Sequence, residues 1–267
     1  MHCRSLALAT DLFILKLAGA RVIERDGHAV VRTPDQPTFY YGNFLLFPAA
    51  PGYGDYGHWM ELFRTEFADD PEVQHETFCW DDPNGRTGSD QPFIDAGFEC
   101  DTSAVMVASS VRLPPHPLDE LQVRTLDGDA DWNDARGCLA SARDEKLEAE
   151  SHDSYLTRSM RARRAMVENG AGQWFGAFLR GELVGTLGIF AEDGVGRFQS
   201  VVVSPTARRR GVCGTLVHAA ARHALDELGV TRLVMVADPD DVAIRVYRSV
   251  GFEAAERQAS LYRFPRD

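Results

Sequence analysis

Cysteine is scarce in this sequence, and the few cysteines are widely scattered. There are five, at Cys3, Cys79, Cys100, Cys138 and Cys213. No two form a C-x-x-C pair and no histidine lies near them at metal-ligand spacing, so the pattern excludes the common structural zinc motifs. An odd number of unclustered cysteines is typical of reduced thiols. We therefore expect a cytoplasmic protein that binds no metal.

Positive charge is also in short supply. Lys and Arg number 28 against 40 Asp and Glu, which gives a formal net charge of −12. Such a charge repels nucleic acid and anionic membrane surfaces and favours cationic ligands. We expect neither nucleic acid nor a membrane as a partner.

Long apolar runs are missing as well. No stretch approaches the roughly 18 uninterrupted apolar residues of a transmembrane helix. Residues 1–20 do not fit a secretory signal, because Asp11 and Lys16 leave only residues 12–15 as an apolar run. We predict that this short run is a strand.

The length, the composition and one proline cluster predict two domains. A chain of 267 residues is long for one compact domain, and its 44% hydrophobic and 25% charged residues are ordinary globular values. Pro114, Pro115 and Pro117 fall within four positions, which neither a helix nor a sheet interior tolerates. We predict domains over 1–112 and 119–267, joined by a proline-rich linker at 113–118.

Strand and helix patterns alternate through the second half. A strand at 121–126 and two helical stretches precede a three-strand meander over 174–203. A helix with its apolar residues on one face follows Gly211 and ends at Gly229, and a strand at 233–237, another helix and a final strand come after it. This order predicts an α/β (α+β) fold, in which helices flank a mixed, mainly antiparallel central sheet.

The segment 201–214 carries the strongest functional signal. A β-branched strand, Val201-Val202-Val203, leads into a basic turn with glycines, and the amphipathic helix starts directly after it. Backbone N–H groups at a helix start lack intrahelical partners, the helix dipole adds partial positive charge there, and glycine allows close approach of a ligand. The segment therefore predicts a phosphate-binding loop.

The loop and the order of elements resemble the GNAT superfamily of N-acetyltransferases over residues 119–267. The family's loop signature is R/Q-x-x-G-x-G/A. Arg208 and Gly211 occupy its first and fourth positions, whereas Cys213 replaces the usual Gly or Ala and Gly214 follows it. The resemblance implies acetyl-CoA as the cosubstrate and no metal.

The resemblance assigns two parts of acetyl-CoA to this segment. The main chain of Val201, Val202 and Val203 would pair with the pantetheine arm as an added strand does. The pyrophosphate would bind to loop amides, with arginine side chains as additional cations. The residues implied in this second contact are Arg208, Arg209, Arg210, Gly211, Val212, Cys213 and Gly214.

Tyr247 matches the Y-x-x-x-G-F pattern of the same family through Gly251 and Phe252. The resemblance implies that its hydroxyl lies beside the sulfur and gives a proton to the departing thiolate. The alternative is a tyrosine that packs its ring in the core while the hydroxyl reaches water.

The group that takes the proton from the amine is less evident. Gln199 stands on the strand before the loop, where relatives often carry Glu, and an amide cannot act as a base. Glu192 and Asp193 in the preceding turn, an acid from elsewhere, or water are the alternatives. Cys213 at a helix start could act as a covalent nucleophile, but its small-residue position favours a packing role.

The first half lacks an R-x-x-G-x-G sequence after any strand. It nevertheless shares a short pattern with the second half, because Gly97-Phe98-Glu99 and Gly251-Phe252-Glu253 both end a helix-like segment before a strand. We predict that 1–112 is a degenerate GNAT-like or accessory domain, and hence that the chain has two tandem GNAT-like domains.

These features predict an acetyl-CoA-dependent N-acetyltransferase that moves acetyl directly from the thioester to a primary amine of a small molecule or peptide. A catalytically silent acyl-CoA-binding or sensor module is the first alternative, because no Glu base is evident. A nucleic-acid-binding regulator that uses Arg208, Arg209 and Arg210 is the second, although the acidic charge disfavours it. The sequence is also compatible with a homodimer.

Overall fold

The computed structural model describes residues 3–142 and 149–264. The helices in these ranges are α1 (Leu6–Leu17), α2 (Asp55–Glu66), α3 (Gln91–Asp95), α4 (Gly128–Ala140), α5 (Ala149–Glu168), α6 (Val212–Glu227) and α7 (Ala243–Val250). The strands are β1 (Arg21–Glu24), β2 (Ala29–Arg32), β3 (Phe44–Phe47), β4 (Glu76–Trp80), β5 (Glu99–Ala108), β6 (Leu121–Thr125), β7 (Gly172–Leu179), β8 (Glu182–Glu192), β9 (Val195–Val203), β10 (Arg232–Ala237) and β11 (Glu253–Arg263). No helix in the described ranges has the length and apolarity that a bilayer crossing requires.

The chain divides into two compact units. The first comprises Met1–Val105 together with Glu256–Asp267, and the second comprises Met106–Ala255. In this division the proline-rich segment 113–118 belongs to the second unit, and the end of the chain belongs to the first. The strand pairing explains the second point, because Ser260–Arg263 on β11 pair antiparallel with residues of β4.

The sheet of the first unit has the strand order β1-β2-β3-β4-β11. Strands β3 and β4 are parallel, and the other neighbours are antiparallel. Large aromatic side chains form the core between α2 and the sheet. The ring of Trp59 on α2 stacks on Phe47 of β3 at 3.7 Å, and Phe78 of β4 lies against both. Leu8, Leu12 and other side chains of α1 pack in a separate cluster with β2 and β3.

The sheet of the second unit has the strand order β10-β9-β8-β7-β6. Only β9 and β10 are parallel in this series. Helix α6 buries one apolar face over the sheet, with Leu216, Val217 and Ala220 fully enclosed. A mixed, mostly antiparallel sheet flanked by helices is the fold class that the sequence predicts, and it is confirmed.

Two stretches of the chain repeat one order of elements. Along the chain, a strand, a helix, a parallel strand and a second helix lead twice to Gly-Phe-Glu and a further strand, first as β3-α2-β4-α3-β5 and then as β9-α6-β10-α7-β11, whose last strand lies mostly in the first unit. The shared Gly-Phe-Glu therefore marks the same place in both stretches, which agrees with the predicted tandem architecture.

The predicted strand at 12–15 is wrong, because these residues lie within α1. The buried side chains of Leu8, Leu12 and Leu15 are spaced by four and three residues, which is helical spacing. Ser5 caps the helix, since its hydroxyl accepts a hydrogen bond from the Leu8 amide at 3.5 Å. The four-residue apolar run hid this longer pattern.

Candidate active site

A gap opens between β9 and β10 in the second unit. The two strands pair at three positions, from Arg232↔Val195 to Val234↔Arg197, and no further pair forms along these two described strands. In the remainder of β9, Phe198, Gln199, Val202 and Val203 pair on the other edge with β8. One edge of Val201–Val203 is therefore free to accept an extended partner, and these valines are half-buried rather than covered.

The start of α6 lies at the end of this free edge. A short 3-10 helix, Pro205–Ala207, and the turn after it connect β9 to α6. The first hydrogen bond of the helix runs from the Thr215 amide to the Gly211 carbonyl at 3.1 Å. The amides of Val212, Cys213 and Gly214 precede that bond, so they are the donors that a helix start leaves without intrahelical partners.

The linker packs directly against this turn. Gly211 is the N-cap of α6 with φ 86°, and a Cβ at this position would overlap the carbonyl oxygen of His116. The Leu118 amide donates to the Thr215 hydroxyl at 3.1 Å, and Pro114 lies against Gly214. Two of the loop glycines thus make room for the linker, a close approach that the sequence alone does not indicate.

The three arginines of the loop differ in their surroundings. Arg208 is exposed and its Nε donates to the Val203 carbonyl at 3.2 Å, so this side chain ties the loop to the end of β9. Arg209 and Arg210 are exposed, and neither forms an ion pair with another described residue. Arg209 has φ 58°, which is unusual for a residue with a side chain. These two cations face solvent beside the helix start.

Tyr247 on α7 and Cys213 on α6 lie close to each other. Tyr247 is 4% exposed, its ring meets Phe252 edge-on at 6.4 Å, and its hydroxyl forms no hydrogen bond with the described residues. Burial, and then the nearby Cys213 and Asp241, raise the pKa of the Tyr247 hydroxyl well above its ordinary range. The phenol therefore keeps its proton at neutral pH.

Cys213 is a poor covalent nucleophile in this structure. Burial, and then the charge of Asp241, raise the pKa of its thiol to about 12. A helix start lowers the pKa of an exposed thiol, but burial outweighs that effect here. The packing role that the sequence favours is consistent with this direction.

The turn acids lie far from the free edge of β9. Glu192 and Asp193 are at the β8–β9 turn, and Val201 is six positions after Val195 on β9, which is about 20 Å at the rise of a strand. Neither carboxylate can take a proton from an amine at Val201. Asp241 lies near Cys213 and Tyr247, and its Oδ1 accepts from the Ala243 amide, the first of α7, at 2.9 Å.

Residues 138–252 match the family model described as the Acetyltransferase (GNAT) family. The matched range contains the gap, the loop, α6 and Tyr247. Residues 138–252 form a GNAT acetyltransferase domain. No curated protein matches the chain.

Several solved structures are similar in fold to this chain over more than 90% of its length, which includes the GNAT domain. A conserved protein of unknown function from Staphylococcus epidermidis ATCC 12228 is 14% identical, with a TM-score of 0.75 over 92% of this chain and 95% of that one. A GCN5-related N-acetyltransferase from Kribbella flavida is 14% identical, with a TM-score of 0.68 over 99% and 97%. A tandem GNAT protein from the clavulanic acid biosynthesis pathway is 15% identical, with a TM-score of 0.52 over 95% and 89%.

The first unit differs from the GNAT domain at the corresponding place. Strands β3 and β4 stay paired to their last residues, Phe47↔Trp80, so no gap opens between them. At the start of α2 the Gly52 amide donates to the Asp55 carboxylate at 2.7 Å. A carboxylate thus occupies the first turn of α2, where the GNAT domain has free amides and arginines.

Two contacts at the candidate site were not predicted from the sequence. The linker contact with Gly211 joins residues that are far apart in the chain. Arg163 on α5 reaches Ser200 on β9, with Nη2 donating to the serine hydroxyl at 2.9 Å. The one signal for Arg163 in the sequence is the apolar spacing of α5, which indicates that this residue faces the sheet but does not indicate that it contacts Ser200. Among the described residues, no group of three or more His, Cys, Asp or Glu could hold a metal ion.

Proposed function

We propose that the GNAT domain is an acetyl-CoA-dependent N-acetyltransferase that transfers acetyl directly to a primary amine of a small molecule or peptide. The free edge of β9, directly beside the uncapped start of α6, is the observation that carries this proposal. An extended arm and a pyrophosphate are the two features of acetyl-CoA that such a combination fits.

The fit can be stated group by group. The amides of Val212, Cys213 and Gly214 would bind the pyrophosphate, where the helix dipole also favours negative charge. Arg209 and Arg210 would add cations from solvent, while Arg208 holds the loop on Val203. The main chain of Val201–Val203 would pair with the pantetheine arm, which extends from the loop back along β9.

Tyr247 supplies the proton donor in this proposal. Its raised pKa keeps the hydroxyl protonated at neutral pH, and the hydroxyl has no competing partner among the described residues. It can therefore donate a hydrogen bond to the sulfur as negative charge develops there. Since Gln199 is not a base and Glu192 and Asp193 are remote, we assign loss of the amine proton to water.

The first unit would bind no acetyl-CoA in this account. Its closed strand pair and the carboxylate of Asp55 both disfavour an extended, anionic ligand. We propose that it is a degenerate GNAT-like domain with a supporting role. The five free thiols agree with a cytoplasmic protein.

Two measurements test the proposal. Isothermal titration with acetyl-CoA should show one site for each chain, and release of free thiol should increase when the correct primary amine is supplied from a panel of small amines and peptides. Binding without turnover on any amine would support the silent acyl-CoA-binding module instead. No binding of acetyl-CoA would contradict both.

A further inference from the structure

A β-bulge interrupts β9 directly before the free edge. The register with β8 shifts between Thr186↔Val202 and Gly188↔Gln199, and Ser200 adopts φ 49° at this point. Arg163 holds the bulge, because its Nη2 donates to the Ser200 hydroxyl at 2.9 Å. The guanidinium of Arg163 is therefore held at Ser200, the residue before Val201.

The position of Arg163 is built by buried neighbours. Its guanidinium lies over the ring of Trp174, 5.1 Å from the centroid. The indole Nε1 of Trp174 donates to the buried Thr186 hydroxyl at 2.7 Å, and the ring fills the space that a side chain at Gly188 would need. A rigid aromatic platform thus sets the direction of the arginine.

The charge of Arg163 is not neutralised by a neighbour. The side chain is half-buried, and none of the ion pairs among the described residues includes it. By contrast, the next residue, Arg164, pairs with Asp129 at 2.6 Å and with Glu168 at 2.8 Å. The Arg163 Nη1 donates to the Met160 Sδ at 3.6 Å, and a thioether is a weak acceptor, so the guanidinium can still bind an anion.

Ser159 supplies a second unused polar group. It lies one turn before Arg163 on α5, so both residues are on the same helix face. Ser159 is 6% exposed, and its hydroxyl has no hydrogen-bond partner among residues 3–142 and 149–264. A buried hydroxyl without a partner is costly, and an anion held by Arg163 is a ligand that would satisfy it.

We propose that Arg163 and Ser159 bind a carboxylate of the acceptor. The inference rests on the proposed acetyl transfer. In that proposal the thioester of acetyl-CoA lies near Val201, which is the end of the free edge farther from the loop. Ser200, which Arg163 touches, is the adjacent residue, and neighbouring Cα atoms are about 3.8 Å apart. The carboxylate and the reacting amine must then be close together in the acceptor. The substrate class is a free α-amino acid or a compound with the same amine and carboxylate spacing.

The kinetic test compares acids with their uncharged analogues. For wild type, kcat/KM should favour α-amino acids over the corresponding methyl esters and over amino acids with a long spacer between amine and carboxylate. Arg163→Met should reduce the preference for acid over ester roughly 10- to 100-fold, the range expected for a charge-assisted hydrogen bond. The KM for acetyl-CoA should stay within about twofold, because the variant leaves the loop intact.

Two control variants separate recognition from packing. Ser200→Ala removes the hydrogen bond at the bulge but keeps the guanidinium, so the preference for acids should persist. Arg164→Met removes a neighbouring arginine that already has carboxylate partners, and it should leave the preference unchanged. Equal use of acids and esters by wild type, or an undiminished preference in Arg163→Met, would overturn the proposal.

A binding test does not depend on turnover. N-acetyl amino acids and their N-acetyl methyl esters are titrated into the protein, with and without CoA, for wild type and Arg163→Met. Binding of the acids that requires both the carboxylate and Arg163 would support the site even if direct titration with acetyl-CoA shows that the proposed activity is wrong. Absence of binding by any acid, or equal binding of acid and ester, would overturn it.

Discussion

Gly211 and Gly54 provide a matched pair for testing the contact between the linker and the loop. Each is the N-cap of the helix that follows the first of two parallel strands, with φ 86° and ψ −5° at Gly211 and φ 91° and ψ −4° at Gly54. They differ in their neighbours. A Cβ at Gly211 would overlap the His116 carbonyl, whereas nothing lies within 4 Å of a Cβ at Gly54.

The expected loss of stability follows from this difference. Alanine in the left-handed region costs about 1–2 kcal/mol at either position. At Gly211 the linker must also move, and loss of the hydrogen bond from the Leu118 amide to the Thr215 hydroxyl adds about 1 kcal/mol. We expect Gly54→Ala to lower the free energy of unfolding by about 1–2 kcal/mol and Gly211→Ala by about 2–3 kcal/mol.

The effect on acetyl-CoA should separate the two variants more sharply. Displacing the turn misaligns one of the amides assigned to the pyrophosphate, and a hydrogen bond to a charged group contributes about 1.5–3 kcal/mol. Titration calorimetry should show a Kd roughly 10- to 100-fold higher for Gly211→Ala and an unchanged Kd for Gly54→Ala. An unchanged Kd for Gly211→Ala, or an equal increase in both variants, would refute the reasoning.

Three further predictions concern side chains with shifted pKa values. Tyr247→Phe should lower kcat about 10- to 100-fold while KM for acetyl-CoA stays within about twofold, because only the proton donor is lost; steady-state kinetics with an unchanged kcat would remove that role. Cys213→Ala should retain activity, and the wild-type thiol, with its pKa raised to about 12 by burial, should react with iodoacetamide at pH 8 more slowly than a free cysteine; rapid, inactivating alkylation would contradict this. Burial lowers the pKa of His75 to about 4, although its Nε2 bonds the Asn43 carbonyl at 3.1 Å. Between pH 6.5 and pH 4 the imidazole of His75 is therefore protonated in the unfolded chain but neutral in the folded chain. The free energy of unfolding is unaffected by this difference above pH 6.5 and falls by about 3 kcal/mol as the pH is lowered to 4. Denaturant unfolding should show that His75→Gln removes this dependence, and parallel pH profiles would disprove it.

The sequence was sufficient for features that depend on neighbouring residues. The strand Val201–Val203, the turn at Gly211 and the helix after it are set by local pattern, and the motif placed them correctly in order. The position of Tyr247 on a helix that ends before Gly251 followed in the same way from a fixed spacing, and its role as proton donor stays a prediction. Such signals survive in a single sequence because each needs only a short segment of chain.

Features that depend on distant residues could not be predicted. The gap between β9 and β10 arises from where two strands stop pairing, and the fit of Gly211 against His116 joins segments that no local pattern connects. Arg163 and Ser200 are 37 residues apart. The helix α1 was missed for a different reason, since a short apolar run satisfies strand and helix patterns equally.

Hydrogen exchange with and without acetyl-CoA tests the central claim most directly. We expect slower exchange in peptides that cover 201–216, where the free edge of β9 and the start of α6 would become hydrogen-bonded. We expect no change at 44–60, the corresponding segment of the first unit. Protection at 44–60, or saturating binding without protection at 201–216, would contradict the assignment of the acetyl-CoA site.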